Sequence, residues 1–384
     1  MILVINSGSS SLKFKLFSPA LGELAGGLIE KIGLGDSFFE YKIRGEKKRV
    51  DYPEGVADHK HGLKEVFAAL GAGGYDPKKI RAVGHRVVHG GEEFTEPTVI
   101  TPAVLKRLRK YNRLAPLHNP ANLSGIDSCL ALMPWAKNVA VFDTAFYRTI
   151  PDRAFMYALP WEYYAKHKIR KYGFHGISHR YVTEQAALIL KRPYSKLRLI
   201  SCHLGSGSSV TAVKFGKAIE TTMGFTPLEG LTMSTRCGDI DPAIPLYLIR
   251  TFKLTEQEVD DILNKKSGIL GISGFKDLRD VLVTAGYKVP GYVFKGRITA
   301  EQERRSRLAL EMFCYDVARY IASFAGIMGG VDAVIFTAGV GERSQIVRDM
   351  VLAMVDIPWK HKILVVPTNE ELMIAKETRS RLKR

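Results

Sequence analysis

The sequence predicts a mixed α/β protein of two duplicated domains facing each other across a central cleft. Three observations carry that expectation. The chain has 384 residues, more than one ordinary core encloses. A unit made of an apolar strand, a Gly/Ser turn and an alternating strand occurs twice, about half a chain apart, in "VINSGSSSLKFKLF" (residues 4–17) and "LISCHLGSGSSVTAVKF" (199–215). A further glycine turn, "VIFTAGVGERS" (334–344), stands between another apolar strand and the helical pattern "SQIVRDMVLAMV".

Each element follows from its residues. Residues 2–5 are a continuous apolar run, the pattern of a buried central strand. After the first turn, Leu12, Phe14 and Leu16 alternate with Lys13 and Lys15, a period of two that fits a half-buried strand. A Walker-type phosphate loop needs a helix there and a GK[ST] ending, and neither is present. The two units therefore read as hairpins whose turns present backbone N–H groups and serine hydroxyls, one in each domain. The third unit, strand–turn–helix, can bring backbone close to a nucleotide. In "PTNEELMIAKETRSRLKR" (367–384), Thr368 and Glu371 form a capping box, so a helix is expected to start there, with Leu372, Ile374 and Ala375 opening its apolar face. That cap occupies Glu371. Glu370 then either complements the helix dipole or holds a metal, and both readings stay open.

Composition narrows the class. Hydrophobic residues make up 46% and charged residues 25%, the balance of a soluble globular protein. No apolar run reaches the ~18 residues that span a bilayer, and the opening "MILVINSGSS" has no basic leader. Cys129, Cys202, Cys237 and Cys314 lie far apart without a CxxC pair, which argues against zinc and for a reducing, cytoplasmic setting. The formal charge of +17 would suit a nucleic-acid binder, but the basic clusters "KRLRK" and "RSRLKR" are short and no nucleic-acid motif accompanies them. A basic surface also suits small anionic substrates, and that reading is preferred.

Charged residues at strand ends mark the chemistry. Arg86 sits inside the apolar pattern of "IRAVGHRVVHGGEE" (80–93), where an unpaired guanidinium would be costly. Asp143 closes the apolar strand of "NVAVFDTAF", at the carboxyl end where α/β sheets bind ligands. Arg236 lies in the polar loop "STRCGDIDP", and His175 in "KYGFHGISH". His175 and His179 are four apart, as two metal ligands could be, but the glutamate of an HExxH pattern is missing.

These stretches resemble the acetate kinases. "INSGSSSLK", "GHRVVHGGE", "FDTAF", "YGFHGISH", "MGFTPLEGL", "TRCGDIDPA", "FTAGVGE" and "PTNEEL" occur in that family's order, from residue 2 to about residue 378. The resemblance implies two ribonuclease H-like domains of the actin-like ATPase type around a nucleotide cleft. It gives an N-terminal acyl-kinase domain, 1–148 plus 371–384, and a C-terminal nucleotide-binding and dimerisation domain, 149–370, with the boundary at the "YRTIP" turn. Catalytic roles fall on Asn6, Arg86, Asp143, His175 and Arg236. Acetate binding falls on Arg86, His118 and an apolar pocket of Val88, Leu117, Phe174 and Pro227. The nucleotide falls on Ser9, Ser11 and Lys13, on His203, Leu204, Gly205, Ser206 and Gly207, on Asp277, Leu278 and Arg279, and on Gly339, Val340, Gly341, Glu342 and Arg343. Magnesium, with manganese as an alternative, falls to Asn6 and Glu370 with Asp143 nearby. ATP and ADP are the implied co-substrates and a homodimer the implied assembly, with no nucleic acid and no membrane.

The resemblance implies reversible transfer of the ATP γ-phosphoryl to acetate. A carboxylic acid with a pKa of ~4 is already ionised at neutral pH, so no general base is needed. The site must instead bring two anions together and hold charge on the phosphoryl in flight. Relatives preferring propionate tend to carry a smaller residue where this chain has Val88, so acetate is expected, with propionate slower. Two positions depart from the family: Ser206 and Arg343 each replace an asparagine. They leave another donor, such as GTP or pyrophosphate, as the alternative, and Arg343 is expected to stack on purines without choosing among them.

Overall fold

The computed structural model describes residues 1–116 and 118–382, and the chain divides into two compact units. One comprises Met1–Arg148 together with the chain from Asn369 on, the other Thr149–Thr368.

The first unit is built on an eight-stranded sheet ordered β5-β4-β3-β2-β1-β6-β8-β7. Its strands are β1 (Ile2–Ser7), β2 (Ser11–Phe17), β3 (Glu23–Glu30), β4 (Ser37–Ile43), β5 (Glu46–Tyr52), β6 (Ala82–Val87), β7 (Thr98–Val99) and β8 (Lys137–Phe142). The second unit has a five-stranded sheet ordered β11-β10-β9-β12-β13. These strands are β9 (Arg198–Leu204), β10 (Ser208–Lys214), β11 (Lys217–Thr221), β12 (Ala333–Thr337) and β13 (Lys362–Val365).

The duplication read in the hairpins extends through both sheets. The run β3-β2-β1-β6-β8 corresponds strand for strand to β11-β10-β9-β12-β13. In each, the first three strands are antiparallel and the last three parallel. Parallel central strands are covered on both faces, and Leu3, Val4 and Ile200 are accordingly wholly buried. In the first unit, helices His59–Ala72 and Asn119–Leu132 lie on the sheet. In the second, the helix Ala300–Met328 starts at a capping box of Thr299 and Gln302. It then buries Phe313, Val317, Ile321 and Phe324 against Ile200, Val334 and Phe336. Each such side chain taken from water contributes about 1.5–3 kcal/mol.

The last helix, Glu370–Ser380, packs on β1, β6 and β8 of the first unit. Its closest approach is at Gly84 on β6, where a Cβ would lie 2.8 Å from Ile374 and closer still to the Thr378 hydroxyl. Its start corrects the sequence reading by one residue. The cap is Asn369, whose Oδ1 accepts from the Leu372 N–H at 3.1 Å. Thr368 is engaged elsewhere: its N–H donates to Glu342 (3.0 Å) and its hydroxyl lies 2.8 Å from Ser178 Oγ. Glu371 does not reach back to a cap because it is buried against Lys13 Nζ at 2.5 Å.

A second correction concerns residues 334–344. Helix begins at Ala338, directly after β12, so the glycines lie inside a short helix, Ala338–Arg343. Arg343 ends that helix; Ser344 caps the next one, Gln345–Ala353. Among the described residues no helix is long and apolar enough to cross a membrane, and all four cysteines are free thiols.

Candidate active site

In the first unit the expected residues gather where β1, β6 and β8 end. Asn6 pairs across the hairpin with Lys13; Ser9 is exposed in the turn and Ser11 opens β2. Gly8 closes the turn by donating to Ser11 O at 2.8 Å. β6 delivers Arg86 and β8 delivers Asp143, which is 1% exposed. Arg86 donates from Nε (3.1 Å) and Nη2 (2.7 Å) to Asp143 Oδ2, and its Nη1 lies 3.8 Å from Glu370. Burial opposes the Arg86 charge, but Asp143 and then Glu370 hold it firmly protonated, above the ordinary guanidinium range. Val88 is buried two residues on, its N–H donating to Asn122 at 3.1 Å. His118 precedes the helix Asn119–Leu132 without capping it through its side chain, and Leu117 lies outside the described residues. Glu371 carried no functional expectation, yet it takes the charge of Lys13 and lies 3.9 Å from Lys15.

In the second unit, β9 and β10 present a buried polar face. Their register sets Ser209 opposite His203 and Thr211 opposite Ser201, all buried. The helix Gly176–Leu190 covers that face with Ser178 and His179. His175 precedes this helix with φ +59°, a left-handed conformation that few side chains other than glycine adopt. Its Nδ1 lies 2.9 Å from Ser209 Oγ, and its ring stacks on His203 at 4.2 Å. His179 is bracketed by hydroxyls, Nδ1 to Ser201 (2.9 Å) and Nε2 to Ser209 (2.8 Å). Both of its ring nitrogens are thus engaged, which disposes of a His175–His179 metal pair. Burial, then the neighbouring His203, hold His179 neutral, well below the usual histidine range.

The turn Gly205–Ser206–Gly207 follows His203 and the buried Leu204. At Gly207 a Cβ would lie 3.3 Å from Arg236 Nη1 and 3.4 Å from His175 Nε2, so both groups converge beside this glycine. Arg236 bonds only uncharged atoms, Pro227 O at 3.2 Å and Met233 Sδ at 3.6 Å. It has no carboxylate partner among the described residues, and burial alone lowers its pKa. An arginine in that setting can take an anion as its partner. Phe174 is buried beside His175, and Pro227 is half-buried.

The remaining expected residues have visible structural work. Asp277 caps the helix Leu278–Thr284 and pairs with Arg279 at 2.6 Å, while Arg279 lies over the Tyr292 ring. Glu342 accepts from Ala338 N (2.8 Å) and Thr368 N (3.0 Å), bracing the short helix that holds Gly339, Val340 and Gly341. Arg343 is exposed, with Nε donating to Gly339 O at 3.1 Å.

The fold has clear solved counterparts. An acetate kinase from Porphyromonas gingivalis matches with a TM-score of 0.86 at 38% identity, over 99% of each chain. A propionate kinase from Francisella tularensis matches at 0.89 and 39%, again over 99% of each. Fold and site together define a two-domain kinase with the actin-like ATPase architecture. The sequence is also 47% identical to the acetate kinase of Thermoanaerobacterium thermosaccharolyticum and 46% to that of Thermotoga maritima, each over 98% of both chains. The sequence profile of the acetokinase family matches residues 1–359, and the chain belongs to that family.

Proposed function

We propose that the chain catalyses reversible transfer of the ATP γ-phosphoryl group to acetate, giving acetyl phosphate and ADP by direct in-line displacement. The observation that carries this reading is the convergence of Arg236 Nη1 and His175 Nε2 beside Gly207, with no carboxylate on the arginine among the described residues. Two such donors can bind a phosphoryl group and follow its charge through transfer. Arg86, held in place by Asp143, keeps N–H groups for the acetate carboxylate. An acetate oxygen attacks phosphorus, the bond to the bridging oxygen breaks, and ADP leaves with the electron pair. No proton moves, so Asp143 is not required as a base.

A divalent cation, magnesium with manganese as a substitute, fits Asn6, Asp143 and Glu370. Among the described residues no three His, Cys, Asp or Glu side chains form a closed metal cage. Two carboxylates and an amide suit an ion that keeps most of its waters and takes phosphate oxygens. When bound it would neutralise charge on the nucleotide phosphates.

Val88, Phe174 and Pro227 would contact the acetate methyl group, and Ser206 and Arg343 the adenosine. The assembly is a homodimer in this reading. The helix Ala243–Phe252 buries none of its own residues and exposes Ile244, Leu246, Tyr247 and Phe252, an apolar surface that a second copy would cover. Light scattering giving the mass of one chain would contradict that. The free thiols agree with a cytoplasmic location.

The test is an assay of acyl phosphate formation with acetate or propionate as acceptor and ATP, GTP or pyrophosphate as donor. Acetate with ATP should give the highest kcat/KM for acceptor, with GTP tolerated. Turnover only with pyrophosphate, or only with propionate, would overturn the reading.

A further inference from the structure

We propose that Ser201, His179 and Ser209 form a hydrogen-bond relay that fixes the His175 ring with its proton on Nε2, which makes them positioning residues for phosphoryl transfer. The proposal rests on the reading that His175 binds the transferring phosphoryl.

The four groups make an unbroken line: Ser201 Oγ to His179 Nδ1 (2.9 Å), His179 Nε2 to Ser209 Oγ (2.8 Å), and Ser209 Oγ to His175 Nδ1 (2.9 Å). Its inner members, Ser201, His179 and Ser209, are 0% exposed. A neutral histidine carries one N–H, donating at one nitrogen and accepting at the other. With Ser209 accepting from one ring and donating to the other, the line has two polarities. In one, Ser201 donates to His179 Nδ1, His179 Nε2–H donates to Ser209, and Ser209 donates to His175 Nδ1. That places the remaining His175 proton on Nε2. The reverse polarity makes Ser209 the acceptor from His175 Nδ1–H, and a neutral ring then turns an Nε2 lone pair outward.

The surroundings of Nε2 choose between them. That nitrogen and Arg236 Nη1 converge beside Gly207. An anion there is attracted by an Nε2–H and repelled by a lone pair, so an oxygen held by Arg236 stabilises the first polarity through the whole line. The stacked His203, itself tied to Ser178 at 2.8 Å, keeps the His175 ring in plane. Two serines and a histidine buried in a sheet interior are hard to explain by packing alone, since each buried polar group must find a partner. As a relay, each is accounted for.

The test combines NMR of nitrogen-labelled histidine with steady-state kinetics on Ser209→Ala and Ser209→Thr. In the unsubstituted protein with nucleotide bound, His175 should show a protonated Nε2 and a bare Nδ1. Ser209→Ala should lose that single tautomer. Its kcat should fall on the order of 10- to 100-fold, the range seen when a functional histidine loses its outer partner. KM for acetate and nucleotide should change little. Ser209→Thr, which keeps the hydroxyl, should recover both tautomer and kcat. A His175 proton on Nδ1 in the unsubstituted protein, or a tautomer untouched by Ser209→Ala, overturns the relay. A tautomer lost without any fall in kcat supports the relay and overturns the role of His175 in transfer.

Discussion

Arg86 and Arg236 are both drawn from water, yet their neighbours are opposite in kind. Arg86 is neutralised by Asp143 and approached by Glu370; Arg236 meets only a carbonyl and a thioether. A guanidinium buried without an anion costs stability that binding an anion recovers. Arg236→Ala should therefore leave thermal stability near that of the unsubstituted protein while lowering kcat by ~10²–10³, the usual loss for one transition-state contact. Arg236→Lys should rescue poorly because it lacks the planar fork. Near-normal turnover in Arg236→Ala would contradict the assignment. At this scale Arg86 and Asp143 were legible, because a charge inside or at the end of an apolar strand needs a reason. Glu371 was not, since its partners Lys13 and Lys15 are distant in sequence and a cap explained it locally. The relay left one trace. Ser201 and His203, and Ser209 and Thr211, recur with period two in otherwise apolar strands, which marks a buried polar face once the register is known.

Among the elements, β6 joins site and stability. It carries His85, wholly buried with Nε2 2.8 Å from Asn138 Oδ1, and the chain beyond it carries the buried His89. Burial holds His85 neutral down to about 4, against an ordinary 6.5, with the Asn138 bond opposing weakly. The unfolded chain takes up this proton first as pH falls. Stability is thus fully present above pH 6.5 and declines between there and about 4, by roughly 3 kcal/mol for this one group. His85→Gln, able to keep the Asn138 contact without titrating, should flatten that part of the urea-midpoint profile. An unchanged acid slope would show that other groups dominate. Strands and hairpins were readable in advance because period two survives in half-buried sheets. Helix starts were less so. Thr368 and Asn369 are both good caps, and the choice was made by Glu342 and Ser178, contacts that no local pattern reveals.

For the whole molecule, the duplicated five-strand order explains why the sequence holds two Gly/Ser hairpins, and why their surroundings divide the chemistry. The first unit gathers Arg86 with carboxylates; the second gathers histidines with an arginine that lacks one among the described residues. A net charge of +17 favours the approach of anions to the molecule. The reaction turns on attack of an acetate oxygen on phosphorus. Acetate labelled with heavy oxygen in its carboxyl group, incubated with ATP and magnesium, tests it in one phosphorus NMR spectrum. Acetyl phosphate should form with a resonance that carries the isotope shift of a heavy bridging oxygen donated by acetate. Acetyl phosphate without that shift, or none formed at all, would contradict it.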